Sequence, residues 1–164
     1  MSKIKVAING FGRIGRETAK IALGIGMNVL AYDKFLKETK ITLNFMGGNS
    51  IDFEIKISPL DELLKKSDFI SLHVPAQNQY VIDKKEFELM KNGVGIVNAA
   101  RGGVINELEL VSALESGKVS FAGLDTFENE PKPEIKLLMH PNISLTPHIG
   151  AATNEAQDRI GKEL

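Results

Sequence analysis

Cysteine is absent from the chain. Its absence removes disulfides, thiolate metal sites and any cysteine nucleophile together, and a reducing, cytoplasmic setting is the expectation. An excess of either charge is also missing. Twenty basic residues face twenty-one acidic ones, for a net charge of −1, so nothing draws the chain to nucleic acid or an anionic membrane surface. No apolar run approaches the ~20 residues that a membrane span needs. The opening MSKIKVAING runs directly into a strand pattern, so no cleavable leader is expected. No repeat, linker or low-complexity tract divides the 164 residues, which suffice for one domain with a proper core and not for two. No metal site is predicted.

Short apolar runs alternate with helical patterns nearly end to end. The segments 4–9, 28–33, 68–74, 93–100, 120–125 and 142–146 read as strands. Most are continuously apolar, as in strands covered on both faces. Helices are predicted where start signals precede amphipathic stretches. Ser58-Pro59 with Asp61 opens PLDELLKKS, Asp83 with Glu86 opens KKEFELMK, and Asn106 with Glu109 opens ELELVSALES, which Gly117 closes. In that last helix Leu110, Val111 and Leu114 share a face, with Glu107 and Glu115 turned elsewhere. Such alternation implies an α/β domain with a doubly wound parallel sheet, a Rossmann fold. Residues 34–52 resist the scheme: ITLNF reads as a strand and GGNS as a turn, with no helix to place.

Gly10, Gly12 and Gly15 form G-x-G-x-x-G between the first strand and a helical pattern of Ile14, Ile21, Ala22 and Ile25. Gly10 permits a tight turn, Gly12 lets a pyrophosphate approach the backbone, and Gly15 lets the helix pack closely on the strand. The helix N-terminus then offers N–H groups and partial positive charge to phosphate, with Arg13 and Ile14 contributing backbone donors. Asp33, ending the second strand, stands where a carboxylate can accept both ribose hydroxyls and repel a 2′-phosphate. NAD, rather than NADP, is the predicted cofactor.

The stretch KVAINGFGRIGR resembles the opening of the glyceraldehyde-3-phosphate dehydrogenases, but their thioester chemistry needs a cysteine that this chain lacks. A longer resemblance runs through SPLDELLKKSDFISLHVP, FELMKNGVGIVNAARGGVINELELVSAL, GLDTFENEP and PNISLTPHIGAAT. These motifs, in this order, are similar to the cofactor domain of the D-isomer-specific 2-hydroxyacid dehydrogenases, and most of all to their phosphoglycerate dehydrogenase branch. The likeness is thinnest over residues 34–52.

That resemblance implies hydride transfer between NAD and a small 2-hydroxy or 2-keto acid, and it assigns roles. Arg101 corresponds to the substrate-binding arginine, whose guanidinium can fork onto a carboxylate. His148 corresponds to the acid/base, and Glu130 to the carboxylate that orients its ring and favours its cationic form. Asp125 corresponds to the acid near the nicotinamide carboxamide, and His73, Val74 and Pro75 to the segment lining the adenosine. Ala99 and Ala100 before the arginine, and Gly150 after the histidine, complete the predicted cofactor contacts. His140 has no counterpart and reads as a solvent-facing helix end. Relatives of this kind also carry a substrate domain for which these residues show no counterpart. A truncated or engineered cofactor domain with little turnover is therefore the expectation, with an inert dinucleotide-binding module or an NAD-sensing scaffold as the alternatives. Homodimer and monomer both remain open.

Overall fold

The computed structural model describes residues 3–150 and residue 152. Its elements in chain order are β1 (Lys5–Asn9), α1 (Arg13–Gly24), β2 (Asn28–Tyr32), β3 (Glu38–Asn44), β4 (Ser50–Lys56), α2 (Leu60–Lys66), β5 (Phe69–Leu72), α3 (Lys84–Leu89), β6 (Val94–Asn98), α4 (Glu107–Glu115), β7 (Val119–Leu124), α5 (Ile135–Leu138) and β8 (Ile143–Leu145). Six strands form one parallel sheet in the order β2-β1-β5-β6-β7-β8. The predicted Rossmann fold is therefore present. Strand order reverses between β1 and β5, and a crevice at such a switch point, beyond the carboxyl ends of the strands, is where this architecture receives ligands.

Alternate residues of β1 divide between two cores. Ala7 packs with Leu63 and Leu64 of α2, Phe87 of α3, and Leu110, Val111 and Leu114 of α4. Val6 and Ile8 pack on the other face with Ala19 and Ala22 of α1. The isoleucines that suggested the apolar face of α1 point outward instead: Ile14 and Ile21 are each 67% exposed. Small residues occupy the buried side because the helix lies too near the sheet for larger ones. A Cβ on Gly15 would stand 2.0 Å from the Gly10 carbonyl oxygen.

The stretch that resisted prediction is an antiparallel hairpin, β3 with β4, in register from Glu38 opposite Lys56 to Asn44 opposite Ser50. ITLNF and GGNS are strand and turn as expected, and SIDFEIK supplies the second strand by strict alternation. Ile41 and Ile55 point into the α1-side core, where the hairpin stands in place of a crossover helix. Beyond it, over β6 and β7, this face carries Gly95, Val97, Phe121 and Gly123, with Val97 and Phe121 exposed.

Two local expectations are corrected. Ser58 does not cap α2; Pro59 occupies the cap position and no side chain bonds there, because proline itself fixes the extended entry. Glu107 is not turned away from the apolar face but buried, and its Oε1 accepts the Glu128 N–H from the β7–α5 loop. The other caps are present. Asp83 and Glu86 form a reciprocal capping box on α3, and Asn106 accepts from the N–H groups of Leu108 and Glu109 at the start of α4.

Candidate active site

The turn between β1 and α1 is built as the glycine spacing requires. Gly10 has φ of 93°, and a Cβ there would collide with the His73 carbonyl oxygen at 2.5 Å. The end of β1 is thus pressed against the end of β5, which no other residue type allows. Gly12, by contrast, faces open space. No side chain caps α1, and no acid stands in its first turn, so the helix presents its N-terminal N–H groups and positive dipole end to whatever occupies that space.

Asp33 immediately follows β2. Its Oδ2 accepts the Phe11 N–H at 2.8 Å and its Oδ1 accepts the Phe35 N–H at 2.9 Å. The carboxylate is thereby held beside the glycine turn, and each oxygen keeps a lone pair for a ribose hydroxyl. Open space at Gly12, at a helix N-terminus with no acid in its first turn and beside a fixed carboxylate, suits an adenine dinucleotide. His73 follows β5 and is half-buried, with Nε2 at 2.9 Å from the Ser71 hydroxyl. Burial pushes its imidazole pKa down, and Val74 and Pro75 continue the same wall.

On the other side of the switch point, the loops after β6, β7 and β8 are tied together. Asn98, at the end of β6, accepts the Ala100 N–H and donates to the Arg101 carbonyl, pinning the turn that carries Ala99, Ala100 and Arg101. Arg101 is exposed; its Nη1 donates to the Ala100 carbonyl, and it makes no ion pair among the described residues. Asp125 is buried. Its Oδ1 accepts from the Thr146 hydroxyl at 2.6 Å and from the Ile149 N–H at 2.9 Å, and its Oδ2 accepts from the Gly150 N–H at 2.9 Å. Burial pushes this carboxyl up, yet those hydrogen bonds and the nearby His148 outweigh it and hold the pKa below its ordinary value. Asp125 is thus first a staple for the loop bearing His148 and Gly150.

His148 Nδ1 lies 2.8 Å from Glu130 Oε2, so the histidine and carboxylate paired by resemblance do meet. Glu130 Oε1 accepts the Phe127 N–H at 2.9 Å. The imidazole contact first, and the backbone donor second, lower the Glu130 pKa. A carboxylate on Nδ1 fixes ring orientation and leaves Nε2 for other chemistry. His148 has φ of 55°, a left-handed conformation uncommon outside glycine. A non-glycine residue in this region costs on the order of 1 kcal/mol and persists only where surrounding contacts hold it. His148 and Glu130 also line an apolar cavity of about 380 Å³ with Phe127, Pro131, Leu138 and Leu145. His140 caps the turn after α5, its Nδ1 accepting the Asn142 N–H, and takes no part.

Residues 1–150 match the model of the D-isomer specific 2-hydroxyacid dehydrogenase NAD binding domain. The chain belongs to that family. As an NAD-binding domain of the 2-hydroxyacid dehydrogenases it has many relatives. It is 48% identical over 160 residues to a hydroxypyruvate reductase of Thermotoga maritima, covering 94% of this chain and 48% of the relative. It is 44% identical over 155 residues to a D-3-phosphoglycerate dehydrogenase of Archaeoglobus fulgidus, covering 93% of this chain and 28% of that protein. Among solved structures, a glyoxylate reductase from Paecilomyes thermophila superposes with a TM-score of 0.81 at 40% identity, covering 97% of this chain and 46% of the other. The chain thus spans less than half the length of these relatives.

Asn98, Glu128 and Tyr80 had no place in the sequence-based expectations. Asn98 left a trace, a lone amide ending an apolar strand just before an arginine. The others left none, because their partners lie far apart in sequence.

Proposed function

We propose that this chain is the cofactor half of an NAD-dependent D-2-hydroxyacid oxidoreductase, with D-3-phosphoglycerate dehydrogenase, and hence serine biosynthesis, as the finer reading. The carrying observation is the His148–Glu130 pair at 2.8 Å, in loops that leave the carboxyl ends of the parallel strands as Arg101 and the glycine turn do. NAD, when bound, supplies or accepts the hydride. Arg101 holds the substrate carboxylate by charge-assisted hydrogen bonds. His148 Nε2 delivers a proton to the keto oxygen in reduction and removes it from the hydroxyl in oxidation. Glu130 keeps the ring oriented and steadies its charged form. The finer reading draws support from the phosphoglycerate dehydrogenases among the relatives, while a hydroxypyruvate reductase and a glyoxylate reductase among them keep neighbouring 2-keto acids in view.

The test couples two measurements. Calorimetry establishes NAD binding, and NADH oxidation is then followed with 3-phosphohydroxypyruvate, hydroxypyruvate and glyoxylate. Slow turnover that His148→Gln abolishes supports the dehydrogenase. Binding without turnover on any keto acid selects an inert dinucleotide-binding module. A preference for unphosphorylated substrates removes the finer reading.

A further inference from the structure

The loop after β7 carries a second acid, two residues before Glu130. Glu107 and Glu128 exchange hydrogen bonds: the Glu107 N–H donates to Glu128 Oε1 at 3.0 Å, and the Glu128 N–H donates to Glu107 Oε1 at 2.8 Å. The remaining oxygen of Glu128 accepts from the Tyr80 hydroxyl at 3.1 Å. One carboxylate therefore touches the segments that follow β5, β6 and β7. Because Glu107 is the first residue of α4, Glu128 also sits at the positive end of that helix, which offsets the repulsion between two acids. Backbone contact is equally close here. A Cβ on Gly102 would stand 1.8 Å from the Phe127 carbonyl oxygen, so the residue after Arg101 is pressed against the residue before Glu128. From Phe127 the chain of contacts continues through its N–H to Glu130, and from Glu130 to His148.

Two acids facing each other are a poor choice for stability alone, since a buried carboxylate is costly and like charges repel. What the arrangement does supply is register. We propose that Glu128 is a positioning residue: through Glu107 and Tyr80 it fixes the β7–α5 loop against the Arg101 turn, and so holds Glu130 where it accepts the Nδ1 proton of His148. The inference rests on the acid–base role proposed above for that pair, but it concerns a geometry that can be read without turnover.

Long-range proton–nitrogen NMR spectra of labelled protein report which imidazole nitrogen carries the proton once the ring is neutral. His148→Gln assigns the signals among the three histidines. In the wild type, His148 is expected in the Nδ1–H form that Glu130 selects. Glu128→Ala is expected to convert it to a mixture of tautomers. Glu128→Gln is expected to restore the Nδ1–H form, because its amide oxygen still accepts from Glu107 and its amide group still meets the Tyr80 hydroxyl. Circular dichroism checks the fold, and NAD affinity by calorimetry is expected to stay within about threefold, under 1 kcal/mol. An unchanged tautomer in folded Glu128→Ala overturns the proposal. Should that variant not fold, Tyr80→Phe decides: some gain of the other tautomer supports it and none overturns it. A wild type that binds no NAD defeats the functional reading instead, and leaves the tautomer result to stand by itself.

Discussion

Single side chains here carry opposite pH signatures. Glu107 is buried, one of its oxygens has no hydrogen-bond partner among the described residues, and burial with the nearby Glu128, Glu134 and Glu130 raises its pKa despite the backbone bond from Glu128. A carboxyl whose folded pKa lies above its unfolded value favours folding at low pH, and that contribution disappears as pH rises through the folded pKa. Glu107→Gln keeps the acceptor for the Glu128 N–H and removes the charge. The melting temperature should therefore rise at pH 7 relative to wild type and change little near pH 4; an equal effect at both would show that the charge is not the cause. Asp125 and Glu130 behave inversely. Their depressed pKa values give stability that is present above the unfolded carboxylate range and disappears as pH falls through the folded values. Of these residues, Asp125, Glu130 and His148 could be named from sequence, because each sits in a motif. The mutual contact of Glu130 and His148, 18 positions apart, could not be derived from spacing; Glu107 was misread because its charge was weighed above its position, three and four residues before Leu110 and Val111 on the same buried face of α4.

At the scale of elements, the sheet was legible because continuously apolar runs of strand length have few other uses. Strand ends shifted by one or two residues where a polar terminus leaves the sheet, as at Asp33 and Asp125. The β3–β4 hairpin was only half legible. Its second strand alternates Ile51, Phe53 and Ile55 with charged residues, but the strand–helix rhythm around it argues for a helix. Tertiary packing settles the matter, since Ile41 and Ile55 are 2% and 7% exposed against α1 and the sheet. If the hairpin is part of the core, Ile41→Ala should destabilise by about 2–4 kcal/mol. Ile51→Ala, at a position 52% exposed, should fall within about 0.5 kcal/mol of wild type. Urea denaturation midpoints at constant slope separate the two; similar effects would mean that the hairpin is merely attached.

For the whole molecule, the question is how a dinucleotide couples to so extended a set of loops. The glycine turn hangs on β1 and Asp33 on β2, and the same carboxylate bonds the turn at Phe11 and the entry to the hairpin at Phe35. A ligand engaging phosphate donors and Asp33 together thus braces the α1 side of the domain, and its binding should appear as global stabilisation. At a hundredfold excess over Kd this amounts to about 2.7 kcal/mol, or roughly 5–10 °C for a chain of this size. NADP should stabilise far less, because its 2′-phosphate meets a carboxylate that backbone bonds hold in place. Asp33→Asn separates charge from hydrogen bonding: one oxygen still accepts, the repulsion is gone, and the response to NADP should approach that to NAD. Equal responses to the two cofactors in the wild type would mean that Asp33 only anchors the loop, and the adenosine end would then have to be read by other residues.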